Sequence, residues 1–327
     1  MRRAVVIGTG MGVPAGILTN KDLEKMVETS DEWIVQRTGI HERRVCSADE
    51  AASDLSIIAG RQALEASGTS PDEIDMVIVG TVSGDHPFPS TACLVQNALG
   101  IKNAGAVDVG AACAGFIYAM DLGASMVETG RANKVLVIGV DVLSKVVDYT
   151  DRGTCILFGD GAGAVVLEAQ ENTDRGLIKT TLHSDGEGAR HIVLETGGTR
   201  YPTHLWEEHQ KRRLLYMAGS EVYRFAVHAM GDACLKLLDK AGLQPSDIDL
   251  FVPHQANIRI IESAAHKLEL PPEKVFINVD RYGNTSAGSI PIGLHEAEKE
   301  GRLKPGMLVM TVGFGAGLVW GANLIRW

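Results

Sequence analysis

Residues 63–81 (ALEASGTSPDEIDMVIVGT) align without a gap with residues 237–255 (LLDKAGLQPSDIDLFVPHQ), and this internal match constrains the fold more than any single motif. Gly68, Pro71, Ile74 and Asp75 fall on Gly242, Pro245, Ile248 and Asp249. A second pair follows at nearly the same offset. Gly130-Arg131, leading into the apolar run Val135–Ile138, matches Gly301-Arg302, leading into Met307–Val312. A third sets Phe158-Gly159-Asp160-Gly161-Ala162-Gly163 beside Phe314-Gly315-Ala316-Gly317. Three matches in the same order imply a duplicated unit with one copy in each half of the chain, 1–175 and 176–327.

Each unit reads as strand, helix, strand, helix, strand, helix, strand, strand. In the first half the apolar, β-branched runs are Ala4–Ile7, Met76–Val79, Ala106–Val109, Val135–Val140 and Ala164–Leu167, with helical patterns over Ser53–Ser67 and Ala114–Thr129. In the second half they are Leu250–Val252, Val275–Val279, Met307–Val312 and Val319–Ile325. Strands alternating with helices predict an α/β architecture with mostly parallel sheets. Helix 114–129 is small and apolar on nearly every face, so it belongs in the centre. Residues 183–218, with clustered charge, four histidines and Gly197-Gly198, break the alternation and read as a solvated loop and surface helix between the halves.

Of the 327 residues, 31 are Lys or Arg and 41 are Asp or Glu, for a net charge of −10. That balance argues against nucleic acid as a partner, and the only basic run is Lys211-Arg212-Arg213. Hydrophobic residues at 45% and charged residues at 22% exclude a disordered or fibrous chain. The five cysteines are odd in number and form no Cys-x-x-Cys pair, which gives no support to a disulfide framework or a zinc site. No apolar stretch approaches the roughly 20 residues needed to cross a bilayer, and Gly8 and Gly10 interrupt the first apolar run. The expectation is a cytoplasmic protein with reduced thiols and no membrane partner.

Three side chains stand out chemically. Cys113 lies in Gly110-Ala111-Ala112-Cys113-Ala114-Gly115, where a strand ends and a helix begins. A thiol there sits at the positive end of a helix, which favours the thiolate. The alternative is a buried structural cysteine, the reading kept for Cys46, Cys93, Cys155 and Cys234. His254 follows the strand Leu250–Pro253, at the terminus where functional groups gather in open α/β sheets. Asn284, in Gly283-Asn284-Thr285-Ser286-Ala287-Gly288-Ser289, is read as lying between the strand Val275–Val279 and a helix, with an N-cap as its plain alternative. Cys, His and Asn in that order also describe a thiol hydrolase, so the three residues alone leave the reaction open.

The surrounding motifs narrow it. Thr29-Ser30-Asp31-Glu32-Trp33-Ile34-Val35-Gln36-Arg37-Thr38-Gly39-Ile40, Cys113-Ala114-Gly115, Phe158-Gly159-Asp160-Gly161-Ala162-Gly163, Pro253-His254-Gln255-Ala256-Asn257 and the Gly283–Pro291 run together resemble the β-ketoacyl-acyl carrier protein synthase III family. The resemblance implies a thiolase-like duplicated fold, two βαβαβαββ halves packed as an αβαβα five-layer sandwich, and a homodimer. It implies that Cys113 takes an acyl group from acyl-CoA and passes it to malonyl-acyl carrier protein as CO2 is lost, with His254 and Asn284 as neutral donors to the enolate oxygen. It further implies an oxyanion hole at the backbone N–H groups of Cys113 and Gly315, and no metal or redox cofactor. By the same match Thr29, Trp33, Arg37 and Arg152 hold the CoA nucleotide, while Met217, Gly219, Ala256 and Asn257 line a pantetheine tunnel. Arg224, Arg259 and Lys267 form a basic patch for the acidic carrier. Phe88 closes the acyl pocket from the neighbouring subunit, and its bulk implies a short primer such as acetyl. Gly153 stands where the family commonly has Ser. A related priming condensing enzyme or acyltransferase of a polyketide pathway shares the triad and is the alternative. Gly8-Thr9-Gly10-Met11-Gly12 carries no dinucleotide signature, because Val13-Pro14 follows where a helix would start.

Overall fold

The computed structural model describes residues 2–327. The first half contributes strands β1 (Arg2–Gly12), β2 (Met76–Gly80), β3 (Gly105–Val109), β4 (Lys134–Asp141) and β5 (Gly161–Glu171), arranged as β1-β5-β4-β2-β3. The second contributes β6 (Gly176–Ser184), β7 (Leu250–Pro253), β8 (Leu308–Gly315) and β9 (Val319–Arg326), arranged as β6-β9-β8-β7. Helices α1 (Ala52–Ser67), α2 (Thr91–Ala98) and α3 (Gly115–Glu128) in the first half are repeated by α4 (Gly219–Ala241), α5 (Ile258–Lys267) and α6 (Ser289–Lys299) in the second. The two sheets have the same strand order once the bridge between Phe251 and Val275 is counted as the counterpart of the β2–β3 pairing.

The matched residues are structural devices. Gly68 and Gly242 end α1 and α4 in the left-handed region, at φ 64° and 69°. Pro71 and Pro245 each start a 3-10 turn, and Ile74 and Ile248 are buried behind it. The Asp75 carboxylate accepts the backbone N–H groups of Asn133 and Lys134 at 2.6 and 3.0 Å, and Asp249 accepts that of Leu308 at 2.8 Å. Each aspartate thereby sets the start of the adjoining strand.

Helices α3 and α6 lie between the sheets. Phe116, Ile117 and Met120 of α3 pack with Ile290 and Leu294 of α6, against Val135, Val137 and Val165 of one sheet and Val252, Val309 and Ile325 of the other. Helices α1 and α2 cover the outer face of the first sheet and α4 and α5 that of the second, giving five layers. The glycines of the 158–163 motif permit this closeness. A Cβ on Gly163 would lie 2.5 Å from the Ile292 nitrogen and 2.6 Å from the Pro291 carbonyl carbon.

Three expectations are corrected. The sheets are mixed: β2 runs parallel to β3 and β4, and β7 to β8, but every pairing made by β5 or β9 is antiparallel. The run Val275–Val279 is no strand beyond its single bridge. The Gln255 amide oxygen accepts the backbone N–H groups of Asn278 and Val279 at 3.0 and 3.2 Å, drawing them away from a ladder, and Val279–Tyr282 is a helical turn. Residues 183–218 are not a solvated loop and surface helix alone. They begin with the end of β6 and include a two-residue ladder, Ile192–Val193 with Tyr216–Met217.

That segment has a counterpart. Residues 13–51 leave the first unit between its first strand and first helix, and 185–218 leave the second unit at the equivalent point. From the first excursion Leu23, Ile34 and Ile40 pack into the core of α4 and α5. From the second, the Leu215 N–H bonds the Val146 carbonyl at 2.8 Å. Each excursion thus crosses to the other half, and the two meet around one cavity.

Candidate active site

Cys113 sits in a 3-10 turn, Ala112–Ala114, between β3 and α3, with Ala112 held at φ 43°. The second unit builds the same turn at Ser286–Gly288 ahead of α6, with Ser286 at φ 51°. Such positive φ values cost a non-glycine residue energy and mark a turn fixed by its surroundings. In the repeat, Ala287 stands where Cys113 does, so only one of the two turns carries a thiol. The two turns touch: the Ser286 hydroxyl donates to the Cys113 Sγ at 3.1 Å. Buried Asp141 braces the contact, accepting from the Thr81 and Ser83 hydroxyls at 3.0 and 2.7 Å and from the Ala287 N–H at 3.3 Å.

The helix end was expected to favour a thiolate at Cys113. Burial outweighs it and pushes the thiol up to about 12, with Ser286 the largest opposing influence. Cys113 is therefore a protonated thiol at ordinary pH.

His254 follows β7, its N–H bonded to the Val312 carbonyl at 2.8 Å. The ring is fully buried, Nδ1 lies 2.6 Å from the Ser289 hydroxyl, and Nε2 has no hydrogen-bond partner among the described residues. Phe314 presents its ring edgewise at 5.6 Å between centroids. Burial pushes the imidazole down to about 3, so it is neutral at ordinary pH. Asn284 follows the helical turn Val279–Tyr282 rather than a strand, so only Cys113 and His254 come from strand ends. Its Oδ1 accepts the Ser286 N–H at 2.9 Å, which leaves the amide nitrogen to face the cavity.

These groups line one cavity of about 830 Å³. Gly315 joins them at the end of β8, where a Cβ would come within 2.6 Å of the Cys113 nitrogen, so only glycine allows this approach. Met217, Gly219, Ala256 and Asn257 form walls, and Trp33, Arg37, Arg224 and Arg259 also line the cavity. The Asn257 side chain caps α5 and donates to the Arg37 carbonyl at 3.1 Å, tying the first excursion to the start of that helix. Arg152 lies beside the cavity, with its guanidinium 5.0 Å from the Trp33 ring centroid and Arg37 at 5.3 Å. Thr29 is outside the lining, and its buried hydroxyl has no partner among the described residues. Phe88 is also outside, 85% exposed. Lys267 is not free: it pairs with Asp232.

Sequence reasoning gave no role to Ser286, Ser289, Phe314, Ile192 or Leu215, all of which shape the site. The two serines were within the Gly283–Pro291 run; the signal was their place in the second copy of the turn. Among the described residues no group of three or more His, Cys, Asp or Glu is placed to hold a metal, and no helix is long and apolar enough to cross a membrane.

Comparison with known proteins places this arrangement. Residues 107–186 match the profile of 3-oxoacyl-[acyl-carrier-protein] synthase III, and residues 238–327 that of its C-terminal part. The β-ketoacyl-[acyl-carrier-protein] synthase III of Symbiobacterium thermophilum is 50% identical over 327 residues, covering 100% of this chain and 99% of that one. That of Caldanaerobacter subterraneus is 48% identical over 324 residues, covering 99% and 98%. Among solved structures, the Aquifex aeolicus enzyme superposes with a TM-score of 0.91 at 44% identity, covering 99% of this chain and 100% of that one. The Thermus thermophilus enzyme gives 0.92 at 45%, covering 99% of each. A priming β-ketosynthase of a polyketide pathway gives 0.91 at 34%, covering 98% and 96%.

Proposed function

This chain belongs to the β-ketoacyl-[acyl-carrier-protein] synthase III family, condensing acyltransferases of fatty acid biosynthesis with a thiolase fold, and on that premise we propose that Cys113, His254 and Asn284 carry the reaction. The Cys113 sulfur attacks the thioester carbonyl of an acyl-CoA. The negative charge on the carbonyl oxygen rests on the backbone N–H groups of Cys113 and Gly315, and the CoA sulfur leaves. Malonyl-acyl carrier protein then binds in the same cavity. Its bond to the carboxylate breaks, CO2 departs, and the electron pair moves onto the thioester oxygen. Asn284 Nδ2 and His254 hold that oxygen, each donor worth about 3 kcal/mol because the charge exists only as the bond breaks. The carbanion attacks the acyl-cysteine, the Cys113 sulfur leaves and takes a proton from water to restore the thiol, and 3-oxoacyl-acyl carrier protein is released.

The observation that carries this reading is convergence. Cys113, His254, Asn284 and Gly315 come from four separated segments and line one cavity. Trp33 with Arg152 and Arg37 would take the CoA nucleotide by stacking and charge, beside the unpartnered Thr29 hydroxyl, and Met217, Gly219, Ala256 and Asn257 would enclose the pantetheine. Arg224 and Arg259 at the cavity, with Lys267 bound to Asp232 further along α5, offer the acidic carrier positive charge on a chain of net charge −10.

Exposure on one face supports a homodimer. β3 is an edge strand whose Val107 is 40% exposed, and Phe88, in the loop ahead of α2, is 85% exposed. A second copy pairing along β3 covers both and lets Phe88 reach its partner's pocket, which selects a short primer such as acetyl. The two units divide near 175, and a cytoplasmic location keeps the five thiols free.

Asn284→Ala tests the assignment. Condensation is expected to fall 10²- to 10³-fold, roughly the effect of losing one oxyanion donor, while acylation of Cys113 changes by less than about threefold. Equal loss in both steps would show that Asn284 does not act on the enolate.

A further inference from the structure

Ser289 Oγ has three neighbours and one proton. The Ser286 carbonyl, at 2.9 Å, can only accept. The Gln255 N–H, at 3.3 Å, can only donate. The third neighbour is His254 Nδ1, at 2.6 Å. With its proton on the Ser286 carbonyl and one lone pair taken by Gln255, the hydroxyl has only a lone pair left for the imidazole. In that arrangement Nδ1 carries the hydrogen and Nε2 is a bare acceptor; with the hydroxyl turned to Nδ1, which leaves the Ser286 carbonyl still accepting the Ser289 backbone N–H, the two nitrogens exchange roles. Nε2 is the buried atom with no partner among the described residues, on a ring that lines the cavity.

That tautomer serves one half of the proposed cycle and opposes the other. Acyl transfer needs an acceptor for the proton of a thiol that burial holds protonated. Decarboxylation needs a donor toward the enolate oxygen. Asn284 cannot change sides, since the Ser286 N–H fixes its Oδ1 and leaves only the amide nitrogen to face the cavity. His254 can change, because the Ser289 hydroxyl can turn from the Ser286 carbonyl to Nδ1 and donate to it.

We propose that Ser289 is a positioning residue that selects the tautomer of His254, holding Nε2 as a proton acceptor for acyl transfer and releasing it to become a donor for decarboxylation. The inference rests on the condensing reading above for its consequences, though not for its geometry. In the first state the Cys113 S–H bond breaks and an N–H bond forms at Nε2, directly or through one water, and the departing CoA sulfur takes that proton. In the second, Nε2 takes a proton from water in the tunnel and the ring gives up its Nδ1 proton to solvent in exchange, so the ring stays neutral. Ser289 then donates to Nδ1, and Nε2–H faces the thioester oxygen.

The position accounts for the residue type. Ser289 is the first residue of α6 and 2% exposed, so water does not replace its hydroxyl. Alanine would leave Nδ1 buried without a partner. Threonine would keep the hydroxyl.

The test uses full-length enzyme with ¹⁵N-labelled histidine, His254 being assigned by comparison with His254→Gln. In the wild type Nδ1 is expected at the shift of a protonated nitrogen and Nε2 at that of a bare one. In Ser289→Ala the preference is expected to be lost or reversed, and Ser289→Thr should restore it. Cys113 acylation by acetyl-CoA, followed by quenched-flow mass measurement, should slow about 10- to 100-fold in Ser289→Ala, the scale seen when a partner orienting a functional histidine is removed. The KM for acetyl-CoA should stay unchanged. A wild-type spectrum with Nε2 protonated, or a Ser289→Ala spectrum with the wild-type tautomer, would overturn the proposal. The spectrum needs no substrate, so a wrong function would leave the tautomer result standing and abolish only the acylation effect. If Ser289→Ala does not fold, the wild-type spectrum still decides.

Discussion

Ser286→Ala removes the one side chain that, among the described residues, donates to the Cys113 sulfur, and the size of its effect can be worked out from the contact. The hydroxyl lies 3.1 Å from the Cys113 Sγ. A hydrogen bond to a charged acceptor is worth about 1.5–3 kcal/mol and one to a neutral acceptor about 0.5–1.5, so the thiolate gains about 1–1.5 kcal/mol more from it than the thiol does. Loss of the bond should raise the thiol by about one further pKa unit. The direct assay is alkylation of Cys113 by iodoacetamide, with the other cysteines counted by peptide mapping. Because burial holds the wild-type thiol up to about 12, the rate should climb with pH and show no plateau below about pH 10. One pKa unit reduces the thiolate tenfold while raising its intrinsic reactivity by roughly the square root of that. Ser286→Ala should therefore react about three- to fourfold more slowly at every pH on the slope. An unchanged or faster rate in a variant with wild-type circular dichroism would refute the reasoning. A wild-type plateau near pH 8 would refute the dominance of burial.

Gly163→Ala places a Cβ 2.5 Å from the Ile292 backbone nitrogen and should cost about 3 kcal/mol, whereas Gly198→Ala meets nothing within 4 Å and should change stability by less than about 0.5 kcal/mol, both read from urea midpoints. His254 is down at about 3 in the folded chain against an unfolded value near 6.5, so between those values the unfolded chain holds a proton that the folded one does not. Stability therefore falls as pH drops through that window, and from pH 7 to 5 the wild type should lose about 2 kcal/mol more than His254→Gln. Trp33→Ala should raise the KM for acetyl-CoA about tenfold and leave turnover of a truncated acyl thioester without the nucleotide unchanged; an equal loss with both would place Trp33 outside nucleotide binding.

The repeat was legible because its residues act locally. Gly68 and Gly242 end helices, Pro71 and Pro245 open turns, and Asp75 and Asp249 cap strands, each within a few residues of where the pattern shows. Val275–Val279 misled because its β-branched run says nothing of Gln255, some 20 residues earlier, whose side chain takes the N–H groups a neighbouring strand would need. Cys113 was found by its strand-to-helix position, yet its proton affinity depends on how deeply the turn is enclosed, which the local sequence does not state. The segment 183–218 looked solvated because its charges dominate the composition. Its function in the fold rests on Ile192 meeting the Leu215–Met217 stretch more than 20 residues later, a pairing that no local pattern shows. Lys267 had the right charge on the right helix, and only the packing of α4 beside α5 shows that Asp232 already holds it.

The central claim is that an acyl group passes through Cys113 to a carbanion made in the same cavity. Intact-protein mass measurement after mixing with acetyl-CoA, followed by a chase with malonyl-acyl carrier protein, tests it most directly. The account predicts one acetyl adduct, absent in Cys113→Ala, that the chase discharges into 3-oxoacyl-acyl carrier protein. An adduct that persists in Cys113→Ala, or one lost only to water during the chase, would contradict it.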